Sequence, residues 1–403
     1  MKKYVLAGAS YRCYYMFYLP LVDQYNYNSV VTGVFDINRT RCEFFKKKGG
    51  DTLNIYDDYD KMLDTEKPDV VIVTTVDSTH HDFIIRALEK GCDVLSEKPI
   101  TNTYERCLAI REAEKRTGHK VTTTFNARFS PVSTEIKKII SSGKLGKVLH
   151  VSYDHYLNRA HGGDYFKRWH RKMENSQGMM LHKSTHCFDL MNWLIDDMPE
   201  EVNALGNRIY YGDASKVKGE RCSKCPYTDC ESRASQSDIV DQDLYFNAEH
   251  EDGYIRDKCA FLPDADILDS YSVSVKYRGG AIMSYSLNLF SFDEGSKMVF
   301  TCEKGMIECV RNKIDHLPHH IITIKYRDGK VEEIHLPKLA GSHGGSDARL
   351  VDMLFSGKEF DNSLGHHADS YAGVASAMVG IAVNESIATK QTINLTERLE
   401  KLK

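Results

Sequence analysis

No stretch of this 403-residue chain stays apolar for the roughly 18 residues that a bilayer crossing needs, so no membrane span is expected. The opening MKKYVLAGAS has two lysines, but its apolar run stops at once, which suits a first strand and not an export signal. There is no long basic run, and the formal net charge is −4; nucleic-acid binding driven by phosphate contacts is excluded on that ground. Internal repeats and low-complexity segments are absent. Eleven cysteines, an odd number, without an export signal point to reduced thiols in a cytoplasm. What remains is an ordinary soluble composition, 41% hydrophobic and 27% charged, in a chain too long for a single core. Two domains are expected.

The first 126 residues alternate two patterns. KKYVLAG (2–8), SVVTGVFD (29–36), DVVIVTTV (69–76), CDVLSEKP (92–99) and HKVTTTF (119–125) read as strands. HHDFIIRALEKG (80–91) and YERCLAIREAEKRTG (104–118) read as helices, the second closed by Gly118. Strands alternating with helices imply parallel pairing, hence an α/β doubly wound domain over 1–126. Beyond it lie a helix at 131–141, a strand at 147–157 and a helix over about 178–195. Five successive strand-like runs fill 270–336, with YRGGA and YRDGK as turns, and a helix at 367–389 closes the chain. Residues 127–403 therefore form an α+β domain with a large, mostly antiparallel sheet. Residues 212–267 fit neither pattern and are set apart as a cysteine-containing insert.

A strand, a glycine and a helix at the N-terminus make a pyrophosphate site. The expected G-x-G-x-x-G is spelled here with Gly8 alone; Ser10 and Cys13 occupy the other two places, and Arg12 is a candidate phosphate contact. Asp36, ending the second strand, suits the two ribose hydroxyls of NAD and repels the extra phosphate of NADP, while Arg39 nearby can soften that preference.

HKSTHCFDL (182–190) puts His182 and His186 four apart, the spacing of one helix face and of a zinc helix. A zinc helix would also need a base and a third ligand; Lys183 stands where the base would be. The insert carries Cys222-x2-Cys225-x4-Cys230 with Cys259 further on, four thiolates able to hold a structural zinc in a segment with little core of its own.

SEKPIT (96–101) resembles the Gfo/Idh/MocA family of nicotinamide-dependent oxidoreductases. So do TTVDSTHHDFIIRALEKGCDVLSEKP (74–99), FNARFSP (125–131), GMMLHKSTHCFDLMNWL (178–194) and GSHGGSD (341–347), in the family's order across almost the whole chain. The resemblance implies a Rossmann domain, a C-terminal α/β domain that often assembles into homo-oligomers, and cofactor at the carboxyl ends of the parallel strands. By position it implies Lys98 as the active-site lysine and His186 as the catalytic histidine, with Thr75, His81 and Glu97 beside the cofactor. His182 replaces an aspartate found in many members, so His182 and His186 can share the base role. Arg128, Tyr153, His155, Lys183 and the Trp169-His170-Arg171 triplet are candidate substrate contacts, Asp189 an orienting group, and His343 and Asp347 a closing loop.

The expected activity is NAD-dependent oxidation of a secondary hydroxyl on a sugar, sugar derivative or cyclitol. Two alternatives stand beside it. One is redox-neutral chemistry (glycosidase, lyase or epimerase) in which hydride returns to the substrate. The other is a non-catalytic NAD- or sugar-binding regulator, which would need neither Lys98 nor His186.

Overall fold

A computed structural model describes residues 1–50, 52–234, 240, 242–312 and 317–403. Six strands form the first sheet: β1 (Lys2–Ala7), β2 (Ser29–Phe35), β3 (Asn54–Tyr56), β4 (Val70–Val73), β5 (Asp93–Ser96) and β6 (Val121–Thr123). All pair in parallel, in the order β3-β2-β1-β4-β5-β6. VVIV of β4 is buried throughout, as a strand covered on both faces must be. The order reverses between β1 and β4, so a crevice opens at their carboxyl ends. Gly8 follows β1 at φ +100°, where a Cβ would lie 2.9 Å from the backbone of Thr74 and Thr75. Only glycine fits that approach.

The second sheet has nine strands: β7 (Val148–Asn158), β8 (Pro199–Asn207), β9 (Ser270–Tyr277), β10 (Ile282–Ser291), β11 (Gly295–Cys302), β12 (Gly305–Asn312), β13 (His319–Tyr326), β14 (Val331–Pro337) and β15 (Ile393–Asn394). It runs β14-β13-β12-β11-β7-β10-β9-β8-β15, antiparallel except where β7 meets β10. Strict alternation in SYSVSVKY buries Tyr271, Val273, Val275 and Tyr277 against the helices and leaves the other face open.

The helix Ser370–Thr389 joins the two sheets. It has the length and hydropathy of a membrane span, contrary to the expectation that no stretch would, yet 61% of its apolar window is buried inside the protein. Its Gly373 and Gly380 sit so close to Thr123 and to the Met180–Leu181 backbone that side chains would collide. Small residues let it press against the first sheet and against the helix Gly178–His182 at once.

One expected element is two. The stretch 178–195 forms the helices Gly178–His182 and Thr185–Ile195, broken at Lys183 and Ser184. Lys183 and Ser184 both donate their N–H to Met179 O, an i−4 and an i−5 bond, so the helix widens where the two segments meet. His182 ends the first helix and His186 lies in the first turn of the second, and both line the same cleft.

Candidate active site

A cleft of about 850 Å³ runs from the carboxyl end of β1 to the break at Lys183. At one end Ser10 caps the helix that begins at Tyr11, its Oγ accepting from Cys13 N–H at 3.1 Å. The smaller side chains in place of the second and third glycines thus still leave a helix N-terminus facing the cleft. Asp36 accepts from Ala9 N–H at 2.8 Å and from Asn38 N–H at 2.9 Å. Burial raises its pKa, against the pull of Arg41, whose guanidinium lies 3.6 Å away.

The other end holds the chemistry. Lys98, directly after β5, donates from Nζ to His182 O at 2.8 Å. Burial pushes its pKa down, and Asp77 and Glu97 pull it back up. His182 Nδ1 meets Asp77 Oδ2 at 2.6 Å, and Asp77 is only 2% exposed. Burial, then the ammonium groups of Lys98 and Lys183, push the pKa of His182 far below its ordinary value. Assigning Nδ1–H to Asp77 leaves Nε2 for a ligand. Burial raises the pKa of Asp77. His186 packs edge-on to Phe125, its Nδ1 buried without a partner among the described residues. Burial and then Lys98 and Lys183 hold it, too, well below its ordinary pKa. It is a free base at neutral pH.

The wall opposite is aromatic and cationic. Trp169 stacks on His170 with ring centroids 3.8 Å apart, and His170 lies 4.3 Å from His182. Tyr165 OH is 3.2 Å from His161 Nε2, whose other nitrogen is 3.2 Å from Glu294. Burial lowers the pKa of Lys183, but nearby Tyr165, Cys187 and Glu294 outweigh it and leave the pKa raised. Tyr153 and His155 line the cleft from β7. Burial depresses the pKa of His155 to about 3.

Gly8 sets the turn below the cleft, while Ser10, Arg12, Asp36, Thr75, Glu97, Lys98, Tyr153, Trp169, His170, His182, Lys183 and His186 lie along it. Five expected residues are committed elsewhere or displaced. Arg12 lines the cleft, but Nε is held by Glu97 at 2.7 Å and Nη1 by Asp347 at 3.0 Å, so it staples the loops together. His343 holds the same Asp347 at 2.9 Å. Arg39 points out to Asp57 and Glu43, and Arg41, half a helical turn on, takes the place beside Asp36. His81 lies outside; its neighbour His80 spans from Thr75 O to Pro99 O, at 3.0 and 2.8 Å. Arg128 grips Asp189 with two bonds, 2.9 and 2.6 Å, beneath the site. Arg171 turns into the insert, to Asp264 and to Cys259 O.

The cysteines of the insert do not form the expected metal staple. Cys222 is buried while Cys225, Cys230 and Cys259 are half-exposed, and no group of three metal-ligating side chains exists among the described residues. The structure gives the zinc expectation no support. Polar contacts hold the insert instead: Arg221 pairs with Glu249 and with the fully buried Asp257, each at 2.6 Å.

Asp77, Tyr165, His161, Glu294, Arg41 and the insert's Tyr245, Tyr254 and Arg256 were not singled out from the sequence. Asp77 had a signal, an acid just beyond the carboxyl end of β4; the rest arrive from distant segments.

Residues 2–125 match the family model described as "Oxidoreductase family, NAD-binding Rossmann fold", and residues 137–395 its C-terminal alpha/beta domain. The chain belongs to the Gfo/Idh/MocA oxidoreductase family. A Bacillus subtilis (strain 168) protein named "Putative oxidoreductase YteT" is 35% identical to this Gfo/Idh/MocA chain, the match covering 98% of both. The scyllo-inositol 2-dehydrogenase (NAD(+)) of the same organism is 30% identical over 39% of this chain and 46% of its own length. A levoglucosan dehydrogenase solved with NADH and L-sorbose shares the fold at a TM-score of 0.71, covering 99% of this chain and all of its own, at 14% identity.

Proposed function

We propose that this Gfo/Idh/MocA protein is an NAD-dependent dehydrogenase acting on a secondary hydroxyl of a sugar, sugar derivative or cyclitol. One observation carries the reading. Lys98, His186 and the Asp77–His182 pair converge at one end of a cleft whose other end is built by Ser10 and Asp36. Those last two fit NAD: a helix N-terminus for pyrophosphate and a carboxylate for ribose hydroxyls, with Arg41 beside Asp36 paired to Asp252 at 2.7 Å.

A nicotinamide held at this end of the cleft would supply the hydride acceptor for the carbinol carbon. His186, neutral and unpartnered, takes the hydroxyl proton. Lys98 donates a hydrogen bond to the same oxygen and stabilises alkoxide charge as it develops. Asp77 fixes the ring of His182, which then presents Nε2 to a neighbouring hydroxyl. Trp169, His170, Tyr153 and Lys183 offer aromatic faces and donors to a polyol ring. Relatives named for scyllo-inositol and levoglucosan support that substrate class. Incubation with NAD and a panel of inositols, levoglucosan and aldoses, followed by NADH absorbance, tests the reading. Wild type should reduce NAD with at least one polyol, and Lys98→Ala and His186→Ala should not. No NADH with any member would count against it.

The Glu294–His161–Tyr165 chain favours a second reading. A simple oxidation does not need another acid–base group in the same cleft, whereas elimination or inversion does. On this reading substrate is cleaved or epimerised without net NADH. A homo-oligomer formed through the open face of the nine-stranded sheet belongs to either reading, and sedimentation would reveal it.

A further inference from the structure

The insert reaches the nucleotide end of the cleft. Its helical turns Gln242–Phe246 and Glu249–Asp252 lie against the segments that follow β1 and β2. Tyr245 OH accepts from Tyr11 N–H at 2.9 Å, and Leu244 O accepts from Arg41 Nε at 3.0 Å. Ala248 O accepts from Asn38 Nδ2 at 2.8 Å, and Glu251 accepts from Thr40 N–H at 3.0 Å. Asp252 completes the set through its ion pair with Arg41. Leu244 and Tyr245 are buried in one apolar cluster with Ala9, Cys13 and Phe44. These 15 residues (242–256) are thus built into the dinucleotide domain, although they arrive more than 200 positions later in sequence.

Their other side faces the ligand. Tyr245, Asp252, Tyr254 and Arg256 line the same cleft as Ser10, Asp36 and Ile37. The Arg256 guanidinium lies 4.0 Å from the centroid of the Tyr245 ring and 6.0 Å from that of Tyr11.

We propose that residues 242–256 form the outer wall of the dinucleotide site, and that the Tyr245–Arg256 stack binds the adenylate half and slows its release. This rests on the nucleotide reading given above. The chemistry is matched on both counts. An adenylate offers a flat aromatic base and an anionic phosphate; a stacked tyrosine and guanidinium offer a face to the first and charge to the second. A wall tied by five polar contacts must loosen before a ligand beneath it can leave, so retention is a kinetic effect. A cofactor held in this way suits a reaction in which hydride is taken and returned without exchange.

The test uses the full chain loaded with NADH and chased with excess NAD, with loss of bound-nicotinamide fluorescence giving the dissociation rate. Arg256→Ala and Tyr245→Ala should each release NADH about tenfold faster or more than wild type. Release at the wild-type rate by both folded variants overturns the proposal. Because Tyr245 is part of the core, a second measurement uses wild type alone. Hydrogen exchange over 242–256 should slow when NADH is added, and unchanged exchange overturns the proposal as well. If wild type binds neither NADH nor NADPH there is no complex to chase, and the nucleotide reading falls together with the wall.

Discussion

Replacing Arg128 by leucine should destabilise the fold severely while leaving nucleotide affinity intact. Arg128 is 6% exposed and Asp189 1%, and two of the guanidinium nitrogens bond both carboxylate oxygens. A third nitrogen donates to Gly365 O at 2.9 Å. Removing the arginine leaves a buried carboxylate without its counter-charge, a loss of about 3–5 kcal/mol. Replacing both partners removes the charge as well, so Arg128→Leu with Asp189→Leu should recover about 1–3 kcal/mol of that loss. The pH dependence has a definite sign. Burial already raises the Asp189 pKa with Arg128 present. Without Arg128 it rises further above its unfolded value, so the folded state binds the proton more tightly. The deficit should therefore shrink as pH falls toward the ordinary carboxyl value. Urea unfolding of the two variants and wild type at several pH values measures all of this. A single variant with wild-type stability but weakened sugar binding would return Arg128 to the substrate site and refute the structural assignment.

Gly8→Ala combines a positive φ with a 2.9 Å approach to buried backbone, and should cost about 2–4 kcal/mol and abolish NADH binding, as seen by thermal unfolding and fluorescence titration. Asp77→Asn keeps the shape but weakens the hold on His182; kcat should fall about tenfold or more with KM little changed, and steady-state kinetics on a substrate found by the screen would show it. Because His186 stays unprotonated well below its ordinary value, kcat/KM for oxidation should hold level down to about pH 6, where a histidine of ordinary pKa would already cut the rate by more than half. Cys222→Ser with Cys225→Ser should leave metal content, measured by elemental analysis, unchanged from that of the wild type.

The periodic parts of the fold were legible. VVIVTT, too dense for a half-exposed strand, is buried β4, and Gly118 ends its helix in the left-handed conformation expected of a cap. SYSVSVKY alternates in the sheet as it does on paper. What misled was local spacing taken as geometry. His182 and His186 are four apart as one helix would place them, but two helices meet at Lys183 and Ser184, a junction the periodicity of 178–195 does not show. Arg39 is the arginine expected beside Asp36; Arg41 stands there instead, held by Leu244 O and Asp252 of the insert. Arg128 and Arg171 are expected as substrate contacts, and each is paired with a carboxylate from a distant segment. The cysteines suggested a metal staple where ion pairs and a shared apolar cluster do the holding.

The central claim is that this cleft holds a nicotinamide dinucleotide at its Asp36 end and serves hydride chemistry at Lys98 and His186. The most direct measurement is to denature the purified protein, identify released nucleotide by mass spectrometry, and titrate any empty protein with NADH. The account predicts either co-purified NAD or NADH, or saturable NADH binding that Asp36→Ala weakens. Protein that carries no nucleotide and binds neither NADH nor NADPH would contradict it.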